Sequence, residues 1–379
     1  MSLSRRRMMY GLVGLAGMTR NLTTLHAHHH HAPQLGGRDL QAAPAPFGAV
    51  ADSAPGVSGQ GNFKFKVLYT SDHLPPEAQK VLIKAHGGFA VDRRPGKEET
   101  YFGLPGAGIL RISSDLKTID LLDTTEEMRN LNLHDTNIWY TKDGTPYLVC
   151  PANSEGRIYT ASLDGKMVHK LDAPTAAIEF KQKEVHDYFV NKGNFAPTAV
   201  EYLEGLYYVT TGYCKLDYVL TAHVTPHQTF DAAWNVDLAF GGRGDGIGKF
   251  GTGHGITKPP GKVRLDVADR PHSRFERFKR DGQYISSLAT PAGSLPCDVN
   301  YLDHKYSVVP ALEGPDKKKG APIYLLENEK LVSTIMIKED LGLPNFTHIH
   351  NAAIRKIGNK FHIMALAWNP GDFAILEQV

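Results

Sequence analysis

Six segments of this chain, each about forty residues long, begin in similar ways, and this length is typical of one propeller blade. The segments begin with His86-Gly-Gly-Phe-Ala-Val, His134-Asp-Thr-Asn-Ile-Trp, Pro197-Thr-Ala-Val-Glu, His254-Gly-Ile-Thr, Cys297-Asp-Val-Asn-Tyr and His350-Asn-Ala-Ala-Ile-Arg. Most of them continue with a polar turn, an apolar strand, a second turn and another strand. Because an isolated sheet of this size leaves two faces and its edges uncovered, it needs neighbours of the same kind. The repeat therefore predicts an all-β, six-bladed β-propeller.

The stretch from Phe250 to Leu288 shows one such unit most clearly. A Pro-Gly turn precedes the strand pattern VRLDVAD, and FERF alternates apolar and polar residues with period two, as a half-buried strand requires. Asp281-Gly282 is a strong hairpin signal. We therefore expect four antiparallel strands here, and we assign residues 66–379 to the propeller.

The first 31 residues have the features of an export signal. Arg5, Arg6 and Arg7 precede a weakly apolar segment at 10–18, which is shorter than the roughly 20 apolar residues of a membrane span. The pattern predicts a twin-arginine-type (Tat) signal peptide over residues 1–31, with a disordered basic tail as the alternative. Residues 32–65 are rich in Ala, Pro, Gly and Ser and predict a flexible linker. We expect an exported protein, periplasmic or secreted, without a membrane span.

Charge and cysteine content exclude several classes of function. The formal net charge of +2 over 379 residues gives no electrostatic reason to expect binding to nucleic acid or to a membrane surface. Cys150, Cys214 and Cys297 lack the spacing of a CxxC metal or redox motif. We expect a small-molecule or peptide-like substrate, and no sequence pattern specifies an oligomeric state.

Histidines carry the clearest chemical signal. Four of the six segments place one at the same position, namely His86, His134, His254 and His350. Equivalent positions on the innermost strands of a propeller converge on its axis, and zinc binds imidazole nitrogens at about 2.0–2.1 Å. A lone histidine there would more often bond to a backbone carbonyl, but four in register favour a metal site. Three neutral imidazoles with open coordination positions are typical of catalytic zinc, which leaves His86 as a fourth ligand, a supporting group or a substrate contact.

Several stretches resemble the peptidyl-α-hydroxyglycine α-amidating lyases, which are zinc-dependent six-bladed propellers of the NHL-repeat type. The matching stretches are Pro197-Thr-Ala-Val, Tyr208-Val-Thr-Thr-Gly-Tyr-Cys214, His254-Gly-Ile, Val267-Ala-Asp-Arg-Pro-His-Ser-Arg274 and His350-Asn-Ala-Ala-Ile. The resemblance covers roughly residues 80 to 379. It implies that His134, His254 and His350 are the zinc ligands. It also implies that Tyr213 is the catalytic tyrosine and Arg274 an active-site arginine.

The chain departs from the family pattern at several positions. An arginine that the family has in the first blade would fall near Gly103, so Arg93 or Arg94 is the candidate substitute. The resemblance also implies a structural Ca²⁺, but Asn351 stands where the family has an acidic residue. These departures leave the predicted zinc site intact and make the substrate the open question.

The resemblance implies a lyase that cleaves the C–N bond of an α-hydroxyglycine (carbinolamide) derivative to an amide and glyoxylate. In this hypothesis Tyr213 takes the hydroxyl proton and Arg274 holds a substrate carboxylate. One alternative is a zinc-dependent hydrolase or lyase of another small substrate, and another is a noncatalytic NHL-repeat binding propeller. A propeller lactonase is disfavoured, because such sites usually use carboxylate and amide oxygens around calcium.

Overall fold

The computed structural model describes residues 56–226 and 230–379. The signal peptide predicted over residues 1–31 and most of the predicted linker lie outside this part of the chain. The described residues form six antiparallel sheets, one with five strands and five with four. None of their helices is both long and apolar enough to cross a membrane.

The first two strands belong to the propeller and not to a linker. They are β1 (Ser58–Gln60) and β2 (Phe63–Thr70). The run Phe63-Lys64-Phe65-Lys66-Val67 alternates apolar and charged residues, and Phe65 is fully buried. The domain boundary predicted at residue 66 is therefore too late, because the alternation that defines β2 begins inside the segment assigned to the linker.

Blades 1 to 3 follow in chain order. Blade 1 comes after helix α1 (Pro76–Val81) and contains β3 (Phe89–Val91), β4 (Thr100–Leu104), β5 (Gly108–Ile112) and β6 (Ile119–Leu121). Helix α2 (Glu126–Arg129) leads to blade 2, with β7 (Asn137–Tyr140), β8 (Pro146–Ala152), β9 (Arg157–Ala161) and β10 (Met167–Asp172). Helix α3 (Lys183–Val190) leads to blade 3, with β11 (Ala199–Leu203), β12 (Leu206–Thr210), β13 (Tyr218–Pro226) and β14 (Phe230–Gly241).

The remaining blades complete the ring. Blade 4 contains β15 (Gly253–Thr257), β16 (Leu265–Asp269), β17 (Arg274–Phe278) and β18 (Tyr284–Ala289). Blade 5 contains β19 (Asn300–Tyr301), β20 (Tyr306–Pro310), β21 (Pro322–Glu327) and β22 (Lys330–Met336), followed by helix α4 (Ile337–Leu341). Blade 6 contains β23 (Ile349–Ile357), β24 (Lys360–Ala367) and β25 (Asp372–Gln378).

The N-terminal strands close the ring in blade 6. Strand β2 pairs antiparallel with β25, with Phe65 opposite Gln378 and Thr70 opposite Ala374, and β1 pairs with β2. The sheet therefore runs β1-β2-β25-β24-β23. Pairing of the two ends of the chain leaves no blade without a neighbour, which protects sheet edges.

Apolar and aromatic side chains between neighbouring blades form the core. Phe102 of blade 1 stacks on Phe373 of blade 6 with ring centroids 5.7 Å apart. Phe240 of blade 3 packs on Phe278 of blade 4 at 4.8 Å. The innermost strands β3, β7, β11, β15, β19 and β23 each begin within three residues of one of the six repeated sequence positions. The predicted six-bladed β-propeller is confirmed.

Candidate metal and active site

Four imidazoles from four blades meet at one end of the propeller axis. His86 and His134 directly precede the innermost strands of their blades, whereas His254 and His350 lie within β15 and β23. The ring centroids of His134 lie 4.5 Å from His86, 4.9 Å from His254 and 4.6 Å from His350. The fold therefore brings together all four histidines that the repeat placed in register.

Backbone carbonyls fix the orientation of three of these rings. The Nδ1 atoms of His134, His254 and His350 donate to the carbonyls of Thr198 (2.7 Å), Cys297 (2.8 Å) and Gly87 (2.8 Å), respectively. A proton on Nδ1 leaves the lone pair on Nε2, which is the arrangement of metal-binding histidines.

These imidazoles are neutral and face one another. Burial lowers the pKa of His134, His254 and His350 well below the usual value of a histidine. The Nε2 atoms of His134 and His350 lie 3.2 Å apart. Two lone pairs facing each other at this distance repel unless a cation lies beside them, so the donor set fits a divalent metal ion.

His86 is held differently from the other three. Its Nδ1 accepts from Asn132 Nδ2 at 3.0 Å, and its ring stacks on Trp368 at 4.9 Å. Burial, with a smaller contribution from Arg270, lowers the pKa of His86 to about 3. One ligand atom each from His86, His134 and His350 lies within 4.8 Å of the others, close enough for one ion. The group close enough for one ion is therefore His86, His134 and His350, whereas Nε2 of His254, which the sequence predicts as a ligand, lies 3.2 Å from the Tyr213 hydroxyl.

Tyr213 lies against the histidines. Its hydroxyl is 3.2 Å from Nε2 of His254 and 3.3 Å from Nε2 of His134, while 37% of the residue is exposed to solvent. The turn that carries it packs tightly on β15, since a Cβ added at Gly212 would lie 2.3 Å from the carbonyl oxygen of Gly253. Only glycine allows this approach, and it places the tyrosine where histidines and solvent meet.

The arginine beside Tyr213 is Arg270, not the predicted Arg274. Arg270 follows β16, is 6% exposed, and donates from Nη1 to the Tyr213 hydroxyl at 2.9 Å and from Nη2 to Cys297 Sγ at 3.0 Å. Arg274 begins β17 and forms ion pairs with Asp269 at 3.0 Å and Glu276 at 2.9 Å. Both arginines belong to the motif Val267–Arg274. The turn between them places Arg270 against Tyr213 and Arg274 against Asp269 and Glu276.

Arg270 carries a buried positive charge that no carboxylate neutralises among the described residues. Among the described residues no carboxylate lies within ion-pair distance of this buried guanidinium, and its Nε has no hydrogen-bond partner. Burial raises the pKa of Tyr213, and the Arg270 cation partly opposes that increase. A desolvated cation without an anionic partner favours any ligand that brings negative charge to the site.

Neither candidate for the missing first-blade arginine reaches the histidines. Arg94 bonds to Asp92 through Nη2 at 2.6 Å, and Arg93 bonds to Asn300 at 3.1 Å, both beyond the far end of β3. A Cβ at Gly103 would lie 2.8 Å from Cβ of Leu133, so a larger side chain there requires the neighbouring blade to shift. Arg270 is therefore the arginine that contacts this site in the described structure.

A layer of carboxyl groups lies next to the histidines along the inner strands. Asp135 is buried and Asp298 is half-buried here. Loss of solvent raises the pKa of Asp298 to about 6, and burial together with Asp298 raises the pKa of Asp135. Thr257 donates to Asp298 at 2.8 Å, while the side-chain oxygen of Asn351 accepts from the backbone N–H of Phe89 at 3.2 Å. Residue 351 is an amide, so the acidic groups in this layer are Asp135 and Asp298.

Comparison with known proteins shows a similar fold but no related sequence. No protein-family model matches the sequence, and no curated protein matches it. Among solved structures, the chain is similar to a gluconolactonase from Xanthomonas campestris, with a TM-score of 0.51 and 14% sequence identity. The match covers 88% of this chain and 99% of that one. What the two share is the propeller fold. At this identity the likeness carries no further conclusion about chemistry.

Proposed function

We propose that this chain is a metal-dependent carbon–nitrogen lyase that acts on an α-hydroxyglycine or similar carbinolamide. The observation that supports it most is the position of Tyr213, whose hydroxyl lies between Nε2 of His134 and Nε2 of His254 and accepts from Arg270. A tyrosine beside a cluster of metal-type imidazoles and a buried cation, which favour its phenolate form, is suited to take a proton from a bound hydroxyl group.

The proposed metal is Zn²⁺, held by His134 and His350 together with His254, with His86 as the alternative or additional ligand. Imidazole sets of this kind suit zinc, which supplies Lewis-acid chemistry that acidifies a substrate hydroxyl. The carbonyls of Thr198, Cys297 and Gly87 keep the Nε2 lone pairs directed at this position.

The residues of the chain account for the proton and charge transfers. Tyr213 acts as a phenolate whose negative charge is stabilised by Arg270, and its phenolic oxygen takes the proton of the substrate hydroxyl and becomes neutral. The C–N bond breaks as the carbon–oxygen double bond forms, and the bonding electrons go to the amide nitrogen. That nitrogen receives the proton from Tyr213. The products are an amide and an aldehyde such as glyoxylate, and no water is consumed.

A second candidate is a hydrolase of another small substrate, such as a lactone. The fold shared with a gluconolactonase favours it, as do the carboxyl groups of Asp135 and Asp298 close to the axis. The groups around Tyr213 are imidazoles and not the oxygen ligands typical of calcium lactonases, which makes the lyase the stronger proposal. A noncatalytic binding propeller would need no metal at this position.

Metal analysis combined with a glyoxylate assay separates these functions. We expect about one zinc per chain and release of glyoxylate from an N-acyl-α-hydroxyglycine, with both lost in His134→Ala. Ring opening of gluconolactone without glyoxylate release would replace the lyase by the hydrolase. A folded protein that binds no zinc would overturn both enzymatic proposals.

A further inference from the structure

The opposite end of the inner strands contains a separate cavity of about 310 Å³. Its walls include Phe89, Trp139, Lys258 and Asn300, which lie at least three residues beyond the repeated positions at His86, His134, His254 and Cys297. Strands rise about 3.3 Å per residue, so this cavity lies roughly 10 Å or more from the imidazoles. The layer containing Asp135 and Asp298 lies between them in the strand order.

The cavity has flat aromatic walls. Tyr140, Tyr202 and Tyr301 line it and are half-buried, so their rings remain accessible. The rings of Tyr202 and Trp139 stack with centroids 4.1 Å apart, which holds this wall in place. Such rings bind planar, unsaturated groups by stacking or edge contacts.

Two cations line the same cavity without an anionic partner. Arg93 bonds to neutral oxygens: the Asn300 side chain at 3.1 Å, the Ile354 carbonyl at 3.5 Å and the Tyr301 carbonyl. The ammonium group of Lys258 approaches the Tyr202 carbonyl at 3.5 Å. Among the described residues neither cation lies in an ion pair, although many other lysines and arginines of the chain do.

The carboxyl group that lines the cavity is Glu201, and it offsets the two cations only in part. Burial raises its pKa and the Lys258 charge opposes that increase, but among the described residues Glu201 forms no ion pair with either cation. Glu201 accepts from the backbone N–H groups of Tyr202 at 2.8 Å and Lys258 at 2.9 Å, and from the Asn137 side chain at 3.1 Å. Both of its oxygens are therefore occupied by donors other than Arg93 and the Lys258 ammonium. The cavity keeps a cationic edge beside its aromatic walls.

We propose that this cavity is a second ligand site, independent of the histidine site, that binds a small carboxylate attached to a flat unsaturated body. The carboxylate pairs with Lys258 and Arg93, and the flat body lies against the tyrosines. A volume near 300 Å³ is at the lower end for small-molecule pockets and suits a ligand about the size of benzoate.

Isothermal titration of the zinc-loaded protein with benzoate tests the proposal. We expect saturable binding at millimolar concentration, at least fivefold weaker binding of the neutral isostere benzamide, and at least fivefold weaker benzoate binding by Lys258→Gln. The matched control is Lys84→Gln, an exposed lysine outside the cavity, which should bind benzoate like the unmodified protein. Arg93→Gln should also weaken benzoate binding. Because Arg93 also bonds to neighbouring backbone carbonyls, the thermal unfolding of the Arg93→Gln variant is measured first. If that variant does not fold, the result for Lys258→Gln decides.

The same titration distinguishes this site from the histidine site. Benzoate binding should persist after zinc is removed by a chelator and in His134→Ala, whatever the outcome of the glyoxylate assay. Loss of binding on chelation would assign benzoate to the histidines and overturn the proposal. Equal affinity for benzamide, no effect of Lys258→Gln, absence of saturable binding, or tighter binding of inorganic phosphate than of benzoate would overturn it as well.

Discussion

Tyr213 and Arg270 show how one hydrogen bond can join two otherwise unfavourable groups. A buried guanidinium without a carboxylate partner is costly, and partial loss of solvent raises the pKa of the Tyr213 phenol. Their contact at 2.9 Å lets each reduce the cost of the other when the phenol loses its proton. Arg274, in contrast, has anionic partners, because it forms ion pairs with Asp269 and Glu276. Its surroundings suit a structural role.

Tyr213→Phe removes only the hydroxyl that the lyase proposal uses as a base. We expect turnover to fall by about 10²–10⁴, the usual contribution of general acid–base catalysis, while zinc content stays near one per chain. The ring still fills its place, so thermal stability should change little. Unchanged turnover in a zinc-loaded Tyr213→Phe protein would assign the proton transfer to another group.

Arg270→Gln and Arg274→Gln form a matched pair from one motif. Arg270→Gln should lower kcat at least a hundredfold, because the phenolic oxygen of Tyr213 loses its cation. Arg274→Gln removes the arginine cation from two buried carboxylates, Asp269 and Glu276, and should lower the free energy of unfolding by about 3 kcal/mol. Glyoxylate release and urea denaturation measure the two effects. A reversed pattern would restore Arg274 as the active-site arginine.

At the scale of strands, closure of the ring depends on β2. Its side chains pack into blade 6, and Phe65 lies in the apolar cluster with Ile335 of blade 5 and Ile349 of blade 6. Because β1 also reaches blade 5, where Gln60 N–H donates to Ser333 Oγ at 2.9 Å, the N-terminal strands connect the two last blades. Strands β1 and β2 thus hold blades 5 and 6 together.

Phe65→Ala should weaken this connection between blades 5 and 6. Truncating a fully buried phenylalanine costs about 3–5 kcal/mol through lost burial and the cavity that remains. Lys66→Ala on the same strand is the control, since its ion pair with Glu377 is largely exposed and contributes at most about 1 kcal/mol. Urea denaturation gives both values. Equal losses for the two variants would mean that β2 does not close the ring.

The contrast between β2 and β15 explains what the sequence could predict. The six inner strands were predictable because each carries its signal locally, in the residues at and after positions such as His254. The sequence prediction places the first three residues of β2 in the linker, because the partner strand β25 lies far away in the sequence, with Phe65 opposite Gln378. Pairing between such distant segments leaves no local pattern beyond a short alternation.

The candidate site was predictable to a similar degree. Residues in register converge by the symmetry of the fold, so the meeting of the four histidines followed from the repeat. The choice between Arg270 and Arg274 depended on a turn in which Ser273 adopts φ 51°, and sequence spacing does not encode that direction. The cationic cavity around Arg93 was also missed, since unpaired charges are recognised only after partners are known.

For the whole molecule, the candidate metal lies where distant parts of the chain meet. His134 belongs to blade 2, His254 to blade 4 and His350 to blade 6, so one ion would connect blades that do not follow each other in sequence. A ligand that binds only the folded state stabilises it by RT ln(1 + [L]/Kd), about 2.7 kcal/mol at a hundredfold excess over Kd. The unfolded chain cannot assemble this donor set.

Zinc should therefore raise the melting temperature of the intact propeller. A gain of about 2.7 kcal/mol corresponds to roughly 5 °C for a domain of this size, measured by scanning calorimetry with and without chelator. His134→Ala should remove the shift, because it deletes an imidazole whose Nε2 lies 3.2 Å from that of His350 and 3.3 Å from the Tyr213 hydroxyl. His304→Ala, at an exposed histidine on blade 5, should keep it. A shift that survives in His134→Ala would place the stabilising zinc elsewhere on the protein and remove the metal from the axis.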